Sequence, residues 1–319
     1  MKNIMKKYRI AVFLTFLMLL SACGTTPETA SRRENKTTLA NVESSTEKAG
    51  SESGDPGTQS ITESLTEPVK GESSSTATEE APTEPVSSEQ PAISMQLTFA
   101  TLNIKHGEEG LDKVADAIRD ISPDIIGLEE VDVNCERSGY IDEPAELARL
   151  AGYSYYAFSK AIPLGDGEYG TAILSRYPIE DFEVTSLESG RGENRSVGHA
   201  VININGLKVD ALVTHLSYDS RSLRIEQMEA IADMLENFDH YVLMGDFNSF
   251  NIEDFCYLGG AYYVNRSDRP YTTFRRRDLA IDNIIVSEGF TELSSGVSEA
   301  ECSDHKLLYA VFQFDETQP

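Results

Sequence analysis

The alternation of apolar and polar residues predicts a series of short strands from about residue 93 onward. QLTFATLNI (96–104) is rich in Thr and aromatic residues, and DIIGLEEV (124–131) is an apolar run that turns acidic at its end. Both patterns are typical of strands. The Asn205-Gly206 pair is a strong turn signal between two such runs and predicts a hairpin. Further strands are predicted at YGTAILSRYPI, YVLMGDFN, AIDNIIVS and LLYAVFQF.

Apolar residues at helical spacing predict three helices between these strands. Leu111, Val114 and Ile118 fall on one face of the first helix. EPAELARLAG (143–152) is a short second helix, and RSLRIEQMEAIADMLENF (221–238) is a long amphipathic third. Many strands with a few helices between them predict a layered α/β domain, in which two sheets form a sandwich with the helices outside.

The N-terminal residues 1–22 have the pattern of a bacterial signal peptide. A basic stretch with Lys6 and Lys7 precedes an apolar core at 11–20, which is too short to span a bilayer comfortably. The core ends in LSACG (20–24), which resembles the lipobox of bacterial lipoproteins. That resemblance implies that Cys23 is lipidated and becomes the mature N-terminus. An ordinary secretory signal with a chance Cys and an uncleaved anchor are the alternatives.

The next segment, 23–92, is composed mainly of Ser, Thr, Glu, Pro and Gly and has almost no aromatic residues. Such a segment cannot bury enough apolar surface to offset its chain entropy, so we predict a disordered tether. The remaining residues, 93–319, are enough for one well-packed domain. Together, these features predict a lipid-anchored protein on the extracellular face of the cell membrane.

Charge and cysteine content narrow the function classes. The chain holds 53 acidic and 27 basic residues, for a formal net charge of −26. Such a surface repels duplex DNA and tolerates small or cation-screened substrates better. No C-x-x-C motif accompanies Cys135, Cys256 and Cys302, so a zinc site is not expected. One disulfide with one free thiol and three free thiols both remain open.

Polar residues recur at the ends of the apolar strands. Asn103, Glu130, His215 and Asp246 each follow an apolar run, and Asp304 precedes the last strand. Such repetition suggests one convergent rim, where active sites of layered α/β proteins tend to lie. Oxygen ligands from Glu, Asp and Asn suit Mg²⁺, Mn²⁺ or Ca²⁺. Together with two histidines, they point to hydrolysis of a phosphate ester.

The motifs NI, EEV, THL, GDFN, ID and SDH occur in this order between about residues 97 and 314. In order and spacing they resemble the endonuclease/exonuclease/phosphatase superfamily. That group includes pancreatic-type deoxyribonucleases, abasic-site endonucleases, bacterial sphingomyelinases and inositol polyphosphate 5-phosphatases. The resemblance implies a four-layer α-β-β-α sandwich, in which two mixed β-sheets are flanked by helices.

The resemblance also implies roles for individual residues. Glu130 stands where the family has its metal-binding Glu. Asn103 would lie near the metal and the phosphate, and Asp304 would assist at the metal. Asp246 would orient or deprotonate the attacking water, and Asn248 would hold the scissile phosphate. The expected cofactor is Mg²⁺, with Mn²⁺ or Ca²⁺ as alternatives.

Two histidines and two arginines complete the predicted site. His215 would contact the phosphate, and His305 would face it, polarised by Asp282. An Asp–His pair of this kind keeps the imidazole protonated and aimed. Arg137 and Arg195 are candidates for binding an anionic substrate, because basic residues are scarce on this acidic chain; each is equally a candidate surface charge.

Two positions depart from the family pattern. Glu129 replaces a customary Gln and adds a negative charge beside Glu130; strand alternation predicts that its side chain faces away from the site. Asn283 replaces a frequent Tyr after Asp282. Neither change removes a residue with a principal role.

The motifs TLNIKHG, EEVD and YGTAILSRYPI are similar to a branch that includes bacterial hydrolases and the domain linked to glycosylphosphatidylinositol remodelling in fungi. The resemblance implies a monomeric, metal-dependent phosphodiesterase acting on a small or lipid-linked phosphate ester. A secreted nuclease acting on DNA or RNA is the alternative. A non-catalytic binding module is a minor alternative, disfavoured because every expected catalytic residue is present.

Overall fold

The computed structural model describes residues 94–258 and 262–315. The predicted signal peptide, the predicted lipidation site at Cys23 and the predicted tether all lie outside the described residues. Within the described ranges, none of the helices is both long and apolar enough to cross a bilayer.

The first sheet has six strands and mixed pairing. Its third and fourth strands run parallel to each other, and the remaining pairs are antiparallel. In spatial order its strands are Phe290–Val297 (β11), Leu308–Asp315 (β12), Ser94–Asn103 (β1), Ile125–Val133 (β2), Gly167–Ser175 (β4) and Tyr155–Leu164 (β3).

The second sheet also has six strands, with one parallel pair at its centre. Its neighbours on either side pair antiparallel. In spatial order its strands are Ile179–Leu187 (β5), Arg195–Ile204 (β6), Leu207–His215 (β7), Tyr241–Asp246 (β8), Asp282–Val286 (β10) and Tyr262–Tyr263 (β9).

Three α-helices cover the outer faces: Leu111–Ile121 (α1), Glu143–Ala151 (α2) and Arg221–Leu235 (α3). Side-chain caps fix the start of two of them. The Asp142 carboxylate accepts a hydrogen bond from the Ala145 amide, and the Ser220 hydroxyl accepts one from the Leu223 amide. Such caps satisfy amides that the helix itself leaves unpaired. Short 3₁₀ turns lie at Lys105–Gly107, Glu136–Ser138 and Ile252–Leu258.

Period-2 alternation along the strands produces the layers. Phe99 of β1 and Met244 of β8 belong to the core between the two sheets. Leu128 of β2 packs outward with α1 and α2, whereas Leu243 of β8 packs outward with α3. Each sheet is therefore apolar on both faces, as expected for sheets enclosed by other layers. The predicted four-layer α-β-β-α sandwich is confirmed.

The structure adds strands that the sequence pattern did not predict, namely β3, β5, β9 and β11. β3 and β5 have many exposed or half-exposed positions, so their apolar alternation is weak. They are recruited by antiparallel pairing with β4 and β6, a long-range effect that overrides local pattern. Among the described residues, Cys135, Cys256 and Cys302 are all free thiols.

Candidate active site

A cavity of about 400 Å³ opens at the carboxyl ends of the central strands of both sheets. The two parallel pairs, β1–β2 and β7–β8, place these ends on one edge of the sandwich. Polar residues that follow successive apolar runs therefore meet there. Residues predicted for the site that line the cavity are Glu130, Arg137, Arg195, His215, Asp246, Asn248, Asp304 and His305.

Strand register sets the floor of the cavity. Asp246 ends β8, with His215 of β7 paired directly beside it on one side and Asp282 of β10 on the other. All three side chains are buried. Three consecutive strands thus present an imidazole and two carboxylates in one row. This arrangement confirms that the motifs THL, GDFN and ID meet in space.

Asn103 and Glu130 come together from β1 and β2. The Asn103 Nδ2 atom lies 3.0 Å from Glu130 Oε1 and 3.3 Å from Asp246 Oδ2. Glu130 has a positive φ of 55° and sits in a register break between Leu128 and Val131. Such a β-bulge turns a side chain out of the strict alternation of the strand. The bulge therefore brings Glu130 to the same side as Asn103.

Glu129 does not line the cavity, but the prediction that it faces the opposite side is wrong. It lies in register with Asn103 and points into the layer between the sheets, where it is fully buried. Its Oε1 accepts a hydrogen bond from Thr101 Oγ1 at 2.8 Å. Burial and the charge of Asp282 raise its pKa well above the usual range. Simple alternation failed because the bulge reorients Glu130, not Glu129.

Asp246 is held in a fixed orientation. Its Oδ1 accepts a hydrogen bond from the Asn248 amide at 2.8 Å, across a turn in which Asn248 has a φ of 50°. Asn tolerates this left-handed conformation better than most residues do. Burial and the charge of Asp282 raise the pKa of Asp246, although the charge of His305 opposes them. A carboxylate with a raised pKa is a stronger base than an exposed Asp.

His215 is a neutral imidazole whose tautomer follows from its neighbours. Burial, with the nearby charges of Arg195 and His305, lowers its pKa well below 6.5. Arg195 Nη1 lies 3.3 Å from His215 Nδ1, and a guanidinium can only donate. We therefore assign Nδ1 as the acceptor and Nε2 as the protonated nitrogen. Nε2 lies 3.6 Å from Asp246 Oδ2. Its 3.1 Å contact with Asn248 Nδ2 joins two N–H groups and is not a hydrogen bond, because the Asn248 amide donates to the Leu216 carbonyl.

His305 is a cation. Its Nδ1 lies 3.0 Å from Asp282 Oδ2, and its Nε2 lies 3.8 Å from Asp246 Oδ2. Burial lowers the pKa of His305, but the charge and hydrogen bond of Asp282 and the charge of Asp246 outweigh it and raise the pKa to about 10. A protonated imidazole at the cavity wall can donate a hydrogen bond to an anionic group.

The oxygen donors fit a hard divalent cation. The Glu130 and Asp246 carboxylates converge on Asn103 through the contacts given above, and carboxylate and amide oxygens are the ligands that such an ion takes. Asp246, Asp282 and His305 also place possible ligand atoms within 4.8 Å of one another. We assign that second group to proton handling, because a protonated His305 cannot ligate a metal. Asp304 lines the cavity, and its Oδ2 faces Lys105 and Arg276.

The two predicted arginines form one wall of the cavity. Arg137 is fixed by a two-point ion pair with buried Asp132, at 2.8 and 2.7 Å. Arg195 is buried and pairs with Glu193 at 2.5 Å. Each guanidinium is thus held by a carboxylate while still facing the cavity. Both residues line the cavity; Arg195 is buried, whereas the Arg137 side chain is 42% exposed.

Several lining residues were not predicted. Ile162 and Leu164, near the tip of the β3–β4 hairpin, form an apolar wall together with Tyr169 and Tyr218. No sequence motif marks Ile162 and Leu164, because they lie on β3, a strand that the sequence pattern did not predict. Lys105 also lines the cavity. Lys105 could have been identified from the sequence, because it directly follows the predicted strand 96–104 that contains Asn103.

The sequence of this chain is similar to a family model and to proteins of other organisms. A model of the Endonuclease/Exonuclease/phosphatase family matches residues 100–305. Protein YbhP of Escherichia coli (strain K12) is 26% identical over 178 residues, which cover 50% of this chain and 70% of YbhP. Protein cwh43 of Schizosaccharomyces pombe is 30% identical over 151 residues; the match covers 46% of this chain and only 15% of cwh43.

Two solved structures share the fold. The endonuclease/exonuclease/phosphatase from Beutenbergia cavernae superposes with a TM-score of 0.60 at 22% identity, covering 69% of this chain and 72% of that one. Truncated TDP2 from Caenorhabditis elegans gives 0.53 at 21% identity, covering 68% and 97%. At such identities the likeness concerns the fold alone. The family match, which spans most of the folded domain, establishes that this chain belongs to the endonuclease/exonuclease/phosphatase family.

Proposed function

We propose that this family member is a divalent-metal-dependent phosphodiesterase that acts on a small or lipid-linked phosphate ester. The observation that carries the proposal is the row of His215, Asp246 and Asp282 on three adjacent strands, with Asn248 and His305 against it. Family members act on phosphoester bonds, and this row supplies a base, a cation and neutral donors within one cavity.

We assign one residue as the base and three residues as hydrogen-bond donors to the phosphate. Asp246 takes the proton of the attacking water, and its burial makes it basic enough for that role. His305 donates to a phosphate oxygen as a cation, aimed by Asp282. His215 donates through Nε2, and Asn248 contributes its amide to the scissile phosphate. Each donor is fixed by a protein partner before substrate arrives.

Glu130 and Asn103, with Asp304 nearby, are the residues we assign to holding the metal. A bound divalent cation neutralises charge on a phosphate oxygen. Mg²⁺ is the expected ion, because the donors are oxygen atoms; Mn²⁺ and Ca²⁺ suit the same donors. The Asn103 amide contacts both Glu130 and Asp246, so the residues assigned to the metal lie directly beside the residue assigned as the base.

The shape and charge of the cavity support a small anionic substrate. Arg137 and Arg195 supply positive charge on one wall, while Ile162 and Leu164 supply apolar surface beside it. An apolar surface next to a phosphate site suits the alcohol part of a lipid-linked ester. The net charge of −26 disfavours long duplex DNA, whose binding depends on many Lys and Arg contacts.

A substrate panel tests this proposal. The purified protein with Mg²⁺ or Mn²⁺ would be assayed on lysophospholipids, glycerophosphodiesters, single-stranded DNA and duplex DNA, beside an Asp246→Ala variant. We expect metal-dependent release from the lipid or small diesters that the variant loses. Faster cleavage of DNA than of every diester would instead support the nuclease alternative. Metal binding without turnover on any substrate would support a binding module.

Membrane attachment is a separate part of the proposal. The lipobox-like LSACG motif supports lipidation of Cys23 and display on the outer face of the cell membrane. Metabolic labelling with a palmitate analogue should mark the wild-type chain and not a Cys23→Ser variant, which should appear in the medium or retain its signal. Equal labelling of both chains would rule out this attachment.

A further inference from the structure

Lys105 lies in a strained turn directly after β1, the strand that ends at Asn103. Lys105 and His106 have φ values of 50° and 45°, and Gly107 follows at 59°. Two successive non-glycine residues in the left-handed region are sterically unfavourable, because Cβ approaches the following carbonyl oxygen. Strain of this kind persists where the surrounding structure over-determines it, and it often marks functional sites. Here the turn is tied to the site, because the Lys105 amide donates to Asn103 Oδ1 at 3.1 Å.

Lys105 belongs to two adjoining cavities. It lines the catalytic cavity, and it also lines a second cavity of about 400 Å³. Asp304 is the other residue common to both. The two cavities therefore form one groove, with Lys105 and Asp304 at the junction. Arg275 and Arg276 line only the second cavity.

A pinned turn holds the arginines beside that junction. The Phe274 amide donates to the Leu279 carbonyl at 2.9 Å and closes the turn, while the Arg275 amide donates to the Asp304 carbonyl at 2.9 Å. Phe274 also bridges to His305. The segment from 274 to 279 is thus held by backbone contacts to Asp304 and His305.

The cations of the junction converge on one carboxylate. Lys105 Nζ lies 3.8 Å and Arg276 Nε lies 3.3 Å from Asp304 Oδ2. The ion pair of Arg276 with Asp304 is made through Nε. Glu108 pairs with Lys105 and Glu109 pairs with Lys113. Lys105 is therefore shared between Glu108 and Asp304, and Arg275 and Arg276 supply the remaining positive charge of the second cavity.

We propose that this groove takes substrates with two phosphate groups. The scissile phosphodiester lies at Asp246, and a second phosphate, a monoester on the alcohol part, lies between Lys105 and Arg276. A monoester carries close to two negative charges at neutral pH, which suits a lysine and a guanidinium better than a singly charged diester does. The substrate class is therefore a phosphorylated polyol joined through a phosphodiester. This inference rests on the proposed phosphodiesterase function.

A matched pair of substrates tests the second phosphate. Glycerophosphoinositol and glycerophosphoinositol 4-phosphate would be supplied with Mg²⁺, and release of glycerol 3-phosphate or glycerol would be followed. We expect kcat/KM to be at least roughly tenfold higher for the phosphorylated substrate, with the difference carried by KM. Equal kcat/KM for the two substrates would overturn the inference while leaving the phosphodiesterase function intact.

Variants locate the second phosphate. Lys105→Gln and Arg276→Gln should each erase most of the preference between the two substrates. Arg277→Gln is the matched control, because it removes the same charge from the same turn at a residue that lines neither cavity. It should keep the preference. A preference that survives in Lys105→Gln and Arg276→Gln, or that falls equally in Arg277→Gln, would contradict the assignment.

A pair of dinucleotide substrates and a binding measurement complete the test. The dinucleotide TpT and its 5′-phosphorylated form provide the same contrast on a nucleotide; a preference there that is absent from the inositol pair would overturn the polyol assignment. If neither pair is cleaved, the phosphodiesterase proposal fails. Calorimetry with inositol 1-phosphate and inositol 1,4-bisphosphate then decides: tighter bisphosphate binding that Arg276→Gln loses supports the subsite, and equal binding overturns it.

Discussion

The Nδ1 atom of His305 lies 3.0 Å from Oδ2 of Asp282, and both side chains are buried. The two residues are 23 positions apart in the chain: Asp282 begins β10 of the second sheet, and His305 lies in the segment that precedes β12 of the first sheet. This pair joins the two halves of the sandwich at the cavity. It also explains why an imidazole that burial alone would keep neutral is protonated, with a pKa raised to about 10.

The Asp282–His305 pair predicts the alkaline limit of activity. In Asp282→Asn the largest opposing effect on the burial of His305 is lost, so the pKa of His305 should fall and the alkaline limb of kcat/KM should move to lower pH. A pH–rate profile measures this shift, with Asp278→Asn as an exposed control. An unchanged limb in Asp282→Asn would show that His305 is not the titrating group.

The same pair predicts a pH dependence of stability. The folded-state pKa of His305, about 10, lies above the ordinary value of about 6.5. The pair therefore stabilises the fold fully below about pH 6.5, and this contribution is lost as the pH rises towards 10. Denaturation by urea across this range should show a smaller loss of stability for Asp282→Asn than for the wild type.

His215 should contribute as a neutral donor. Its pKa lies well below 6.5, so it stays neutral over the working range. We expect His215→Ala to lower kcat by roughly 100-fold, the usual effect of removing one donor to a developing charge. The shape of the pH profile above pH 6 should not change. A shifted limb in this variant would instead show that His215 titrates during turnover.

Glu130 should govern the metal requirement, and Glu129 should not. Glu130→Gln removes a charged oxygen ligand, so the Mg²⁺ concentration for half-maximal activity should rise by roughly 10-fold to 100-fold. Glu129→Gln is the matched control, because it is the neighbouring acid but does not line the cavity. Metal titration of both variants separates the two residues. Equal shifts would contradict the assigned roles.

Gly245 should be required for the position of Asp246. A Cβ atom at Gly245 would meet the backbone carbonyl of Thr214 on the neighbouring strand, which cannot move without disturbing the sheet. Gly245→Ala should lower the free energy of unfolding by about 2 kcal/mol and lower activity. Gly296→Ala meets only the ring end of Tyr309 and serves as the control. Thermal melts would compare the two variants.

Much of the site could be predicted because its residues lie in short motifs at strand ends. Parallel pairing makes such ends converge, so Asn103, His215 and Asp246 meet without any knowledge of distant contacts. The central strands of the fold could also be predicted, because apolar runs mark them in the sequence. Exposed edge strands such as β5 carry no such mark and were missed.

Other parts of the site depend on local geometry that residue types do not encode. The bulge at Glu130 reverses the facing that period-2 alternation predicts. The left-handed turn at Lys105 aims a side chain that reads in the sequence as an ordinary surface charge. The apolar wall of Ile162 and Leu164 depends on a hairpin held by long-range pairing. Each is a tertiary effect.

The most direct test of the account is the metal-dependent hydrolysis of bis(p-nitrophenyl) phosphate. The purified protein would be stripped of metal with a chelator and assayed with and without added Mg²⁺ or Mn²⁺, beside Asp246→Asn. We predict turnover that appears only with metal and falls by roughly 100-fold or more in the variant. Turnover that needs no metal, or that Asp246→Asn retains in full, would contradict the account.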